Sequence, residues 1–128
     1  MKIQPGTLPT IILITLATLL SGCQQTSRKD PDPATQIDQI SSLVAGSHYL
    51  REECGRNDIP ADGILLSNAF SQAGKKGWNT RAPEYKELMV AIGQKKALIV
   101  NDRTQPREKC QKLQAALARF VAGSQQRS

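Results

Sequence analysis

Histidine and aromatic residues are scarce: one His, one Trp, two Phe and two Tyr in 128 residues. Large apolar residues are scarce too. Downstream of Gly22, only 20 of 106 residues are Leu, Ile, Val or Phe. That share lies at the edge of the range in which chains stop folding, and a small domain so poor in core residues usually needs a covalent or metal staple. The length excludes a two-domain enzyme, a Rossmann dehydrogenase and a barrel. No segment alternates with a strand period, and no internal repeat is present.

The chemistry-bearing patterns are equally thin. There is no Gly-rich phosphate loop and no Ser nucleophile motif, and Asp and Glu are too scattered to hold a metal. The lone His48 stands six residues before Cys54. On a helix that offset is about 120° of rotation and about 9 Å of rise, beyond hydrogen-bond reach. His48 therefore reads as a surface or groove-edge residue, and the chain as a non-enzyme without cofactor or metal.

One apolar run stands out. Met1-Lys2 is followed by ten residues, Ile11 to Leu20, with no charge. As a helix they would span about 15 Å, half a bilayer core, which fits a cleaved signal peptide rather than a membrane span. The run ends Leu20-Ser21-Gly22-Cys23, the pattern of a bacterial lipoprotein box. Small side chains before the cleavage point admit the extended backbone to the peptidase, and the thiol takes the diacylglycerol. The expectation is a removed segment 1–22 and a lipidated Cys23. Several acyl chains anchor far more firmly than one. Gln24 in place of Asp directs such lipoproteins to the outer membrane by default.

The compartment changes the meaning of the charge. Losing Lys2 takes the formal charge from +6 to +5, yet the periplasm holds no nucleic acid to bind. Arg107, Lys109, Lys112 and Arg119 read as a solvated helix face, with an acidic protein partner or anionic headgroups as the alternative.

Residues 23–34 contain two prolines and no large apolar residue, and read as a flexible tether. Helical spacing begins at Thr35, so residues 35–124 read as the domain and 125–128 as a disordered tail. Ile37, Ile40, Val44, Ser47, Leu50 and Cys54 follow helical steps of three and four, with Leu43 widening the stripe and Gly55 as a C-terminal cap. A second helix runs over about Ala61–Ala73, closed by Gly74 and Gly77. A third, capped by Thr80, spans about Ala82–Lys95. Ala97–Val100 is ambiguous between a last helical turn and an extended segment. A fourth helix starts near Gln105, with Pro106 in its first turn and Glu108 where the dipole favours an acid. The fold class is all-α: a small four-helix domain.

With Cys23 lipidated, Cys54 and Cys110 remain as an even pair in an oxidising compartment. Each falls on an inward stripe, so a disulfide between the first and last helices is expected. A metal pair or redox pair is the rival, and neither has a nearby Cys or His at ligand spacing. Trp78, in Gly74-Lys75-Lys76-Gly77-Trp78-Asn79, reads as packing under the connection between two helices, with a binding surface as the alternative.

Leu43-Val44-Ala45-Gly46-Ser47-His48-Tyr49-Leu50, Cys54, Arg56-Asn57-Asp58-Ile59-Pro60, the Gly74–Asn79 stretch and Cys110 together resemble the PulS/OutS family of type II secretion pilotins. The resemblance covers about residues 36–122 and the lipobox. It implies a helical domain that binds the C-terminal segment of an outer-membrane secretin subunit, disordered when free and helical when bound. It also implies passage of the lipid-anchored complex through the lipoprotein sorting machinery to the outer membrane, with the domain facing the periplasm. A structural envelope lipoprotein and a periplasmic inhibitor are the alternative readings. The disulfide-linked first and fourth helices would make a rigid groove floor and the third helix a wall. That assigns the groove to Leu43, Leu50, Leu88, Ile92, Leu113, Leu117 and Phe120.

Overall fold

The computed structural model describes residues 30–128. The expected signal peptide, the expected lipidation site Cys23 and most of the expected tether lie outside the described residues. Four helices follow: α1 (Pro33–Glu53), α2 (Asp62–Lys75), α3 (Leu88–Asn101) and α4 (Pro106–Gln125), with a short 3-10 helix over Pro83–Glu87 leading into α3. Among the described residues there is no strand, and no helix is long and apolar enough to cross a membrane.

Local chemistry sets the ends. The Asp32 side chain accepts from the Thr35 N–H at 2.8 Å, and Pro33 enters with its φ already helical. Gly55 leaves α1 at φ 73° and Gly77 leaves α2 at φ 80°, a region that favours glycine. At the second exit the Trp78 N–H bonds the Ala73 carbonyl and the Gly77 N–H bonds that of Gly74. This is a Schellman closure, so Trp78 folds back half-buried against the core. Gly74 itself lies within α2.

Several boundaries differ from expectation. α1 begins at Pro33, inside the expected tether, because Asp32 caps it, and α4 continues through Gln125, into the expected disordered tail. Thr80 caps nothing; Pro83 opens the 3-10 helix instead, and α3 begins only at Leu88. Ala97–Val100 is helical and carries α3 on to Asn101. The chain's last residues turn back, where Arg127 donates to Ser71 Oγ at 2.7 Å.

α1 is the central element. Its buried residues, among them Ile40, Val44, Ala45, Ser47 and Leu50, run round most of its circumference, so the other helices can flank it on several sides. The small residues Ala45, Gly46 and Ser47 let a neighbour approach closely. A Cβ placed on Gly46 would lie 2.6 Å from Leu117 Cδ1 of α4. Cys54 and Cys110 form a disulfide with Cα atoms 5.8 Å apart, which joins the end of α1 to the first turns of α4. Asn68 of α2 donates to the Phe120 carbonyl and to Ser124 Oγ, both on α4. Among the described residues, α3 packs on α1 and makes no backbone approach to α2 or α4.

Candidate functional site

Because α3 and α4 both rest on α1 with their backbones apart, a channel runs between them. Asp38, Ser41 and Ser42 of α1 line its floor, Lys95, Leu98 and Ile99 its α3 side, and Leu113 its α4 side. Past Ser42 the channel opens into a hollow of about 430 Å³ between α1, α2 and α4, where Leu43, Ala116 and Phe120 meet Lys76 and Arg119.

The apolar character of this channel follows from α3. Its sequence places apolar residues around the whole helix, but a helix docked on one neighbour covers only one side. Leu88 and Ile92 are buried, whereas Met89, Val90, Leu98 and Val100 remain 55–65% exposed. Leu98 faces the channel. Met89 borders a second, smaller cleft of about 100 Å³ toward α2, with Val44, Leu66 and Ile92.

An ion network spans that smaller cleft. Asp62, in the first turn of α2, accepts from Lys96 Nζ of α3 at 2.7 Å and from Arg51 of α1 at 2.9 Å. His48 Nδ1 lies 3.0 Å from the same carboxylate. Nδ1 also lies 3.1 Å from Arg51 Nη2, which donates only, so the ring nitrogen donates to Asp62 in one tautomer and accepts from Arg51 in the other. Arg51 also donates to the Pro60 carbonyl at 2.6 Å. Partial burial pushes the Asp62 carboxyl up, but the hydrogen bonds from Lys96, His48 and Arg51 outweigh it and hold the group well below the usual carboxylate range. His48 is thus a half-buried member of an ion network that also borders a small cleft with Tyr49, Lys96 and Val100.

Lys109 departs from its expected place on a solvated face. It is 7% exposed, with Nζ donating to the Ile99 and Asp102 carbonyls at 2.8 and 2.9 Å and lying over the Tyr49 ring. It caps the end of α3 from the start of α4. Arg107, Lys112 and Arg119 are exposed, as a solvated face requires. At the same end the Thr104 N–H and hydroxyl both donate to Asp102 Oδ1 at 2.9 Å, which keeps that carboxyl below its ordinary range.

The residues assigned to a groove from sequence separate into two sets. Leu50, Leu88, Ile92, Leu117 and Phe120 are 0–6% exposed and belong to the core, although Phe120 also borders the hollow and Ile92 the smaller cleft. Leu113 and Leu43 are half-buried, on the channel side and in the hollow. Leu98, Ile99 and Ala116 lie outside that assignment. The signal that marks Leu98 and Ile99 is the set of apolar α3 residues off its inward stripe. Among the described residues, no group of three or more His, Cys, Asp or Glu could hold a metal ion.

Comparison with known proteins places this geometry among relatives. The family model for the type II secretion system pilotin lipoprotein (PulS_OutS) matches residues 20–122. Pullulanase secretion protein PulS of Klebsiella pneumoniae is 33% identical over 108 residues, covering 80% of this chain and 84% of PulS. Pilotin OutS of Dickeya dadantii (strain 3937) is 53% identical over 45 residues, 35% of this chain and 34% of OutS. Among solved structures, a pilotin in a pilotin/secretin peptide complex superposes with TM-score 0.69 at 32% identity, covering 73% of this chain and 97% of that one. A chain of the Klebsiella pneumoniae type II secretion system outer membrane complex, which contains PulD, PulS and the PulC HR domain, superposes with TM-score 0.64 at 28% identity, covering 70% and 95%.

Proposed function

Because the chain belongs to the type II secretion system pilotin lipoprotein family, we propose that it binds the C-terminal segment of an outer-membrane secretin subunit and pilots it to the outer membrane. The observation that carries this reading is the apolar channel between α3 and α4, left open on a fold shared with a pilotin solved together with a secretin peptide. An amphipathic helix laid in such a groove buries one face against Leu98, Ile99 and Leu113. Folding on binding costs about 2–5 kcal/mol. At about 25 cal/mol per Å² of apolar surface removed from water, covering a few exposed leucines on each partner offsets that cost.

In this reading Cys23 carries the lipid, the residues between it and the Asp32 cap are the tether, and the helical domain that starts with α1 at Pro33 does the binding. The protein acts by binding and by being moved, without bond-making chemistry of its own. The lipid takes the complex through lipoprotein sorting, and secretin subunits gather at the outer membrane instead of inserting elsewhere. The test is titration of the mature lipoprotein, in detergent, with a synthetic peptide of the secretin C-terminal segment. The expected result is saturable binding with a gain of helical circular dichroism. A peptide that remains disordered and unbound would overturn the reading.

A further inference from the structure

Among the described residues, the large apolar side chains left exposed all belong to α3: Met89, Val90, Leu98 and Val100. Of these, Leu98 lines the channel. The others point elsewhere. Val90, Gly93, Ala97 and Val100 follow steps of three, four and three, and all four are exposed. On a helix they make one straight stripe, centred about 120° round α3 from Leu98. Leu88 and Ile92, the buried residues of α3, lie on its other side. Among the described residues α3 packs only on α1 and the 3-10 helix, so nothing covers the stripe. A Cβ built on Gly93 would meet nothing within 4 Å, so the middle of the stripe is open.

Alternating steps of three and four are the spacing of a helix–helix seam. This seam reads the same in both directions. Turned end for end about its midpoint, Val90 falls on Val100 and Gly93 on Ala97. A patch that complements itself in this way is what a two-fold dimer requires. The charges at its ends agree. Lys86 and Glu87 stand exposed at the start of α3, and Asp102 and Arg103 just past its end. Among the described residues none of the four is in an ion pair. An antiparallel partner sets the first two level with its own last two, whereas a parallel one would set each charge against its like. Lys109 and Lys112 already lie near Asp102, so the pair that counts is Glu87 with the partner's Arg103. We propose that α3 pairs antiparallel with α3 of a second copy of this chain along Val90, Gly93, Ala97 and Val100. The small residues let the two backbones approach, and the valines close the ends. One helix from each copy falls short of the ~1,600 Å² of a standard interface, so the pair is weak in free solution. It forms on the membrane, where the lipid anchor of the reading above confines both copies to one surface. The channels stay open in both copies, because the stripe and Leu98 lie on different sides of α3.

The experiment is oxidative cross-linking of the mature lipoprotein in phosphatidylethanolamine/phosphatidylglycerol vesicles, with single cysteines placed in the stripe. Cys54 and Cys110 are bonded to each other, so each variant offers one new thiol. Val90→Cys and Val100→Cys molecules carrying different tags should, when mixed, form a mixed dimer, since the pairing sets these positions face to face. Val90→Cys alone should cross-link about tenfold less, because the same position on an antiparallel partner lies ten residues, about 15 Å, along the helix. Glu87→Arg should lower the yield of mixed dimer about threefold, the effect of an exposed ion pair, and Glu87→Arg with Arg103→Glu should restore it. Secretin-peptide binding by Val90→Cys should match that of the wild type. The inference is overturned if the mixed dimer is no more abundant than the product of Val90→Cys alone, or than that of Val90→Cys mixed with Ala115→Cys, an exposed position on α4. It is also overturned if the double charge reversal fails to restore the yield, or if Val90→Cys loses peptide binding. Protein that does not stay with the vesicles would instead overturn the lipid anchor of the reading above, and with it the membrane's part in the pairing.

Discussion

Lys109 Nζ donates to the carbonyl oxygen of Ile99 at 2.8 Å, and so fastens the start of α4 to the end of α3. α3 otherwise rests on α1, with the Lys96–Asp62 pair as its tie to α2. Lys109→Met would leave the Ile99 and Asp102 carbonyls without their charged donor. Hydrogen bonds from charged groups contribute about 1.5–3 kcal/mol. Urea unfolding of the variant should show a loss of that order, and hydrogen exchange should quicken first in the last turn of α3.

The Asp62 network makes stability depend on acid in a defined sense. The folded carboxyl titrates below its unfolded value of about 3.9. Its contribution is therefore fully present above about pH 4 and is lost as pH falls toward the folded value. The groups facing it are Lys96, His48 and Arg51. Asp62→Asn should cost on the order of 1 kcal/mol at neutral pH, since a side chain one-third exposed is screened by solvent. In unfolding measured across a pH series, the gap between wild type and variant should narrow below about pH 4. A gap that widened there would refute the assignment.

Gly46 tests the closeness of α1 and α4. An alanine Cβ would meet Leu117 Cδ1 at 2.6 Å, and Leu117 is buried. Gly46→Ala gains helix propensity but forces this methyl aside, so a net loss of about 1–2 kcal/mol is expected. Gly46→Ala combined with Leu117→Ala should cost less than the two single changes together, as a double-mutant cycle would show.

The Cys54–Cys110 disulfide closes a loop of sequence separation 56. On the chain-entropy model it contributes about 4 kcal/mol, a large part of the stability of a domain this size. Thiol labelling of the denatured, unreduced domain should find neither cysteine free. Cys54→Ser should lower the melting temperature steeply.

Core and channel residues should separate in one series. Leu50→Ala and Leu117→Ala are core truncations and should cost about 2–5 kcal/mol of stability. Leu98→Asn, at a residue 64% exposed, should leave the melting temperature nearly unchanged and weaken peptide binding by about 1–3 kcal/mol.

The four helices are legible in the sequence because each carries its own period, and the disulfide because two cysteines fall on inward stripes of a small exported domain. The start of the third helix is not. Thr80 has the chemistry of a cap, but Pro83, with its fixed φ, imposes a 3-10 turn first. The division between core and channel is not legible either. A helical wheel shows which way Leu88 and Leu98 differ, but not that α3 has a single neighbour to cover it. The roles of Lys109 and Asp62 stay hidden for a related reason. Their partners lie on other helices, up to 34 residues away, and no local pattern marks them.

The central claim joins binding to transport, and one measurement separates them: the amount of secretin in the outer-membrane fraction of cells making Cys23→Ser in place of the wild-type lipoprotein. The domain should still co-purify with secretin, because the binding residues lie far along the chain from Cys23. Without the lipid, secretin should be depleted from the outer membrane. Normal outer-membrane secretin with the unlipidated protein would contradict a piloting role.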